Sequence, residues 1–81
     1  MTIYLVMGAT GLDDYHYEWP AYAFKSKAVA ERMADSLNSK CQKLAKEYYY
    51  DDIPKEKYPE PKFSSSIFGT SYFLERVEML G

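Results

Sequence analysis

The sequence is poor in the residues from which catalytic and metal sites are usually built. Its 81 residues include one cysteine, Cys41, and one histidine, His16. A lone cysteine cannot form an internal disulfide, which is typical of a reducing cytoplasm. A zinc site needs about four ligands, usually including several His or Cys, so we expect neither a metal nor a cofactor. The serines at 64–66 lie far in sequence from His16, so no nucleophile–base pair and no enzyme activity are indicated.

The sequence also lacks a strong charge of either sign and a long apolar run. Ten basic and 12 acidic residues leave a formal net charge of −2. Proteins that bind nucleic acid need a basic surface to neutralise phosphates, so we expect no direct contact with nucleic acid. The first ten residues carry a short apolar run with no preceding positive charge, which predicts neither a signal peptide nor a membrane span. We therefore expect a cytoplasmic protein with no membrane partner.

Aromatic side chains are the residues that the sequence has in excess. They make up 17% of the chain, and nine of them are Tyr, within a hydrophobic total of 47%. This apolar content predicts a packed core in one domain over residues 1–81. The Tyr content suits either a small core that needs large side chains or a surface that binds a partner.

Hydrophobic patterning predicts two strands before a long helix. Apolar runs predict a first strand over 3–7 and a second over 19–24, with a loop at 8–18 between them. Alternation in the second strand sets two faces, with Trp19, Ala21 and Ala23 opposite Tyr22 and Phe24. Because Pro20 has no N–H to donate, it indicates a strand at the edge of the sheet.

The helix is the clearest element in the sequence. After Ser26, a good N-cap, apolar residues recur every three or four positions over about 27–50. A proline-containing connector at 51–62 follows, and a third strand is expected over 70–80. These elements predict an α+β fold of order β-β-α-β, in which one long amphipathic helix packs on one face of a three-stranded antiparallel sheet.

The predicted helix is longer than the strands. About 23 residues give roughly 35 Å of helix, whereas a six-residue strand spans roughly 20 Å. The overhang carries Cys41, Leu44 and Tyr48, which the connector, a second copy or a partner protein must cover. Closed two-fold pairs are the commonest solution for one self-complementary patch, so we expect a homodimer with Leu44 and Tyr48 as its self-association contacts.

Two stretches combine aromatic and acidic residues as protein interfaces often do. The first stretch comprises Asp13, Asp14, Tyr15, Tyr17, Glu18 and Trp19, and the second comprises Tyr49, Tyr50, Asp51 and Asp52. Both are candidate partner-binding sites, since aromatic rings can anchor a contact while acidic residues at its rim orient the partner. In the alternative interpretation, the rings only cover the sheet edges and the helix overhang.

The first half of the chain resembles a loose set of small phage and prophage proteins of unknown function. Their pattern is a first strand ending in Gly-x-Thr-Gly, an acidic loop, Glu-Trp-Pro, a short Ala-rich strand ending in Phe, and an Ala-rich helix. The matching residues are Tyr4, Val6, Gly8, Thr10, Gly11, Asp14, Glu18, Trp19, Ala23 and Phe24, followed by Ala28, Ala30 and Leu37. The resemblance implies no chemistry, but it implies a phage source, and phages encode small proteins that redirect host or defence machinery.

The leading hypothesis is therefore a small non-enzymatic protein-binding module, phage-encoded, that inhibits or redirects a host or bacterial-defence protein in the manner of an anti-CRISPR. One alternative is a small-ligand or nucleotide-sequestering protein that uses the turn at 8–11 and nearby aromatic rings. That turn lacks the third glycine and the lysine of phosphate-binding loops. Another alternative is a structural homodimer with no further activity.

Overall fold

The computed structural model describes residues 1–10, 17–48, 53–63 and 69–80. The elements are β1 (Thr2–Thr10), β2 (Tyr17–Phe24), α1 (Lys27–Glu47), a 3₁₀ turn (Lys55–Lys57) and β3 (Ser71–Glu78). The strands form one antiparallel sheet in the order β2-β1-β3, and α1 packs on one face of it. The predicted α+β fold is thus confirmed, with β1 in the centre and the Pro20 strand at an edge.

β1 is longer than the sequence pattern predicts. Gly8, Ala9 and Thr10, expected in a loop, continue the strand and pair with Trp19, Glu18 and Tyr17. A glycine usually weakens a strand, but here the Trp19 ring covers the bare backbone of Gly8. The aromatic side chain therefore explains how the ladder continues through a glycine.

A β-bulge in β2 corrects the expected faces of that strand. Val6 pairs with Tyr22 whereas the next residue, Met7, pairs with Pro20, so Ala21 is the extra residue. An extra residue shifts the alternation by one position. As a result, Trp19 lies on the same face as Tyr22, not on the opposite face as simple alternation predicts.

Helix α1 begins and ends with clear caps. The Ser26 hydroxyl accepts a hydrogen bond from the Val29 N–H at 3.2 Å, which satisfies one free donor of the first turn. The helix ends at Glu47, short of residue 50, because the Tyr48 backbone leaves the helical conformation at φ −119° and ψ 55°. Its buried stripe comprises Ala30, Ala34, Leu37, Cys41 and Leu44.

The connector covers the end of this stripe within one chain. Phe63 is buried in the same cluster as Cys41 and Leu44, and Ile53 and Tyr58 pack against that cluster. The expected open overhang is therefore absent at Leu44, whose side chain is only 7% exposed. This removes the premise for a dimer centred on Leu44.

Candidate functional site: the open face of the sheet

The face of the sheet opposite α1 has no layer packed on it among the described residues. Paired residues in an antiparallel sheet point to the same side, so the register assigns each side chain to a face. The helix side carries Tyr4, Val6, Gly8, Trp19, Tyr22, Phe24, Tyr72 and Leu74. The open side carries Ile3, Leu5, Met7, Ala9, Glu18, Pro20, Ala23, Ser71, Phe73, Glu75 and Val77. We call this second surface the open face.

The open face is largely apolar at its centre. Ile3, Leu5 and Met7 run along β1 and are each only partly buried, because the flanking strands shield them from the sides. On β3, Phe73 is 38% exposed and Val77 is partly exposed. Contiguous apolar surface of this kind on a small protein marks an interaction site more often than a chance exposure does.

Small residues and a carboxylate complete the open face. Ala23 and Pro20 on β2 are exposed, and their small side chains project little from the sheet. Glu75 pairs in register with Leu5 and is exposed. Within the described part of the chain, the Glu75 carboxylate has no hydrogen bond or ion pair with another residue. The face therefore offers an apolar surface with one carboxylate near its middle.

A buried carboxylate organises the opposite side of the sheet. Glu60, in the connector, is only 3% exposed. Its Oε2 accepts hydrogen bonds from the Trp19 Nε1–H at 2.7 Å and from the Tyr72 hydroxyl at 2.6 Å. Its Oε1 accepts the Lys62 backbone N–H at 2.6 Å. These donors compensate the burial of the charge, so Glu60 ties the connector to β2 and β3.

The first predicted partner-binding stretch divides between surface and core. Tyr17 is 56% exposed and stacks on Trp19, with ring centroids 5.6 Å apart. Glu18 is also exposed. Trp19, however, is 4% exposed, and its indole faces Tyr72 and Phe63 edge-on. Its expected place on an exposed contact surface is therefore wrong, because the bulge turns the ring toward the core.

The remaining predicted contacts lie partly outside the described residues. Asp13, Asp14 and Tyr15 of the first stretch, and Tyr49, Tyr50, Asp51 and Asp52 of the second, fall outside them. Of the two self-association residues, Leu44 is buried, and Tyr48 is half-buried beneath the Lys57 ammonium, 5.5 Å from the ring centroid. Tyr17 and Glu18 are adjacent in β2 but point to opposite sides of the sheet, because Glu18 pairs with Ala9 and Tyr17 pairs with Thr10. Leu44 is inaccessible.

A cleft of about 410 Å³ lies between α1 and the start of β3. Its lining includes Asn38, Cys41 and Ser71. Burial raises the pKa of the Cys41 thiol to about 11, and the charge of Glu60 adds to the rise, so the thiol is protonated at neutral pH. The Asn38 amide is already bonded to the Tyr72 backbone. Neither side chain is poised for nucleophilic chemistry.

One feature of the sequence, the apolar pattern of the first strand, could have predicted the open face. The first strand is apolar on both faces, which indicates a central strand. One helix can cover only one face of a sheet, so this two-sided pattern also predicts an uncovered apolar face. Glu60 gave no comparable signal, because nothing in a proline-rich charged segment distinguishes a buried carboxylate from a solvated one.

Comparisons with protein-family models, curated proteins and solved structures give no significant match. In the described ranges, no group of three or more His, Cys, Asp or Glu side chains could hold a metal ion. The helices of those same ranges include none that is both long and apolar enough to cross a membrane.

Proposed function

We propose that this chain is a non-enzymatic protein-binding module that docks on its partner through the open face. The observation that carries the proposal is the uncovered apolar centre of the sheet, with Ile3, Leu5 and Met7 on β1 and Phe73 beside them. Burying apolar surface contributes about 25 cal/mol per Å², so a partner that covers this face gains binding free energy from each of these side chains.

The shape of the open face favours a protein partner over a small molecule. Small-molecule sites are concave and enclose most of their ligand, whereas a three-stranded sheet presents an open, twisted surface. The alternative of a nucleotide bound at the 8–11 turn is disfavoured at Gly8, which lies inside β1 beneath the Trp19 ring. No phosphate can approach that side of the glycine backbone while the ring is in place.

The resemblance of the first half to phage proteins motivates a more specific target. Under this proposal, the module is phage-encoded and inhibits or redirects a protein of the host or of its defence systems. The exposed Glu18, near the start of β2, would place a carboxylate at the rim of the open face, whereas Tyr17 points to the opposite side of the sheet. Acidic residues at such a rim mainly set the association rate and the orientation of the partner.

Affinity capture from bacterial lysate, followed by mass spectrometry, tests this function with matched variants. Leu5→Glu and Ala23→Glu each place a charge on the open face, whereas Ser39→Glu places one on the exposed side of α1. We expect a protein that the wild type and Ser39→Glu retain and that both open-face variants lose. Equal capture by all four proteins would exclude the open face as the docking surface.

A further inference from the structure

The open face is large enough for one modest protein contact. Three strands about 4.8 Å apart and about 26 Å long give a surface of roughly 14 by 26 Å. This projected area of roughly 360 Å² is within the range of about 300–600 Å² for apolar patches that mark interaction sites.

The pattern of side chains on the open face is self-complementary about one particular axis. Sheets pack face to face about 10 Å apart with their strands nearly aligned. A two-fold axis along β1 sets Leu5 against the partner's Leu5 and sets β3 over the partner's β2. Phe73 and Pro20 both pair with Met7 in register, so Phe73 then lies over the partner's Pro20. A large ring thus meets a small, low residue.

The same axis also gives the unpaired carboxylate a partner. Glu75 and Ala23 both pair with Leu5, so Glu75 lies over the partner's Ala23, where there is little side chain to obstruct it. Lys25 is exposed and follows two residues after Ala23, about 7 Å along the strand direction. Its ammonium is therefore within reach of Glu75 across the interface, and the contact occurs twice by symmetry.

A two-fold axis across the strands does not provide this match. It would set β3 against the partner's β3, and the open-face residues of β3 are Ser71, Phe73, Glu75 and Val77. Arg76, the only cation of the strand, lies on the helix side and is bonded to Glu78. Glu75 would then meet apolar or acidic neighbours, which costs binding free energy.

We infer that the open face binds the same face of a second copy, forming a two-fold dimer of face-to-face sheets in which Glu75 pairs with the partner's Lys25. This inference rests on the proposed function, because it names an occupant for the same docking surface. The dimer differs from one centred on Leu44, which the connector already covers. Any further target would then bind by displacing the second copy or at the exposed ends of the sheets.

Sedimentation equilibrium of the intact protein at tens to hundreds of micromolar tests the dimer. We expect a mass of two chains for the wild type and for Ser39→Glu. Leu5→Glu and Ala23→Glu should each weaken the dimer about tenfold or more, since the new carboxylate meets its own copy in Leu5→Glu and the partner's Glu75 in Ala23→Glu. Ala23 is exposed at an edge strand, so its variant should fold even where Leu5→Glu does not.

A charge swap tests the proposed axis. Lys25→Glu and Glu75→Lys should each weaken the dimer, and the double variant should restore it, because only direct pairing is rescued by reversal. A one-chain mass for the wild type, or a dimer unaffected by Ala23→Glu, overturns the inference, and a double variant weaker than both single variants overturns the pairing. Lysate capture tests the proposed function separately. If the wild type is a monomer and Ala23→Glu loses the captured target, the proposed function stands; if the wild type is a dimer and every variant captures the same proteins, the proposed function fails.

Discussion

Trp19 and Gly8 face each other across β1 and β2, and the indole ring occupies the space that any other residue at position 8 would need for its Cβ. A Cβ built on Gly8 would lie closer than 3.0 Å to Cε2, Cζ2 and Nε1 of that ring. The glycine is therefore required by this close approach and not by a turn. The Nε1–H of the ring is also hydrogen-bonded to Glu60, so the ring has little freedom to withdraw.

Gly8→Ala should destabilise the fold. Forcing a methyl group into a well-packed site typically costs about 1–3 kcal/mol, and here the atom that must yield is part of a rigid indole. The midpoint of urea unfolding, measured by tryptophan fluorescence and checked by far-UV circular dichroism, should fall accordingly. Hydrogen bonding to Glu60 should also weaken, because the ring must tilt to accept the new Cβ.

A double-mutant cycle gives the control for Gly8→Ala. In a Trp19→Leu background the position opposite Gly8 is smaller, so the added methyl group should cost markedly less than in the wild type. If Gly8→Ala costs the same free energy in both backgrounds, the clash with the indole is not the cause. A general loss of glycine flexibility would then be the better explanation.

Glu60→Gln should destabilise the protein by about 2–3 kcal/mol, because three donors lose a charged acceptor and one of them then faces an amide N–H. The amide has nearly the same shape as the carboxylate, so the change removes charge and acceptor capacity without opening a cavity. Glu56→Gln is the matched control, since Glu56 is exposed in the same connector and should change stability by less than about 0.5 kcal/mol. Equal urea midpoints for the two variants would contradict the role of Glu60.

Local patterns were enough to predict the order of elements, the N-cap at Ser26 and the amphipathic character of α1. These features depend on residues three or four positions apart, which a sequence displays directly. The predicted face of Trp19 in β2 was wrong, because the single extra residue, Ala21, reverses the alternation and no local pattern marked it. Pro20 predicted the sheet edge correctly because the loss of an N–H has the same consequence in any context.

The buried cluster around Glu60 could not have been predicted from the sequence. Its members Trp19 and Tyr72 are 41 and 12 residues away from Glu60, so their contacts exist only after the sheet and connector have come together. For the same reason, the connector's cover over Leu44 was one of several open alternatives. The uncovered side of β1 was implied by its two-sided apolar pattern, but the residues that join it on β3 required the register.

Asn38→Ala should destabilise β3 at Tyr72. The Asn38 amide donates to the Tyr72 carbonyl at 3.0 Å and accepts from the Tyr72 N–H at 2.8 Å, so it closes the outer edge of the strand as a neighbouring strand would. Alanine leaves both backbone groups unpaired at a partly buried site, at a cost of about 1–3 kcal/mol. Hydrogen exchange should show faster exchange of the Tyr72 amide.

Ser39→Ala is the control for Asn38→Ala, because Ser39 is exposed on the same helix and its substitution should leave exchange at Tyr72 unchanged. Asn38→Asp provides a second comparison. It keeps the acceptor for the Tyr72 N–H but places a carboxylate oxygen against the Tyr72 carbonyl, so it should not restore the wild-type stability. If the Tyr72 amide exchanges as slowly in Asn38→Ala as in the wild type, another group must close this edge of the strand.

Stability should fall as the pH rises through the alkaline range, because two buried acids are held in their protonated forms. Burial raises the pKa of the Cys41 thiol from an ordinary value of 9.0 to about 11. Burial, followed by the hydrogen bond to Glu60, raises the pKa of Tyr72 well above 10.0. Above pH 9 the unfolded chain therefore releases protons that the folded chain retains, and the free energy of unfolding decreases with pH. The urea midpoint of the wild type should thus drop between pH 9 and 11. The first part of that drop should be smaller in Cys41→Ala, measured relative to the variant's own urea midpoint at pH 7. A drop of equal size in the variant would show that the Cys41 thiol does not contribute to the pH dependence.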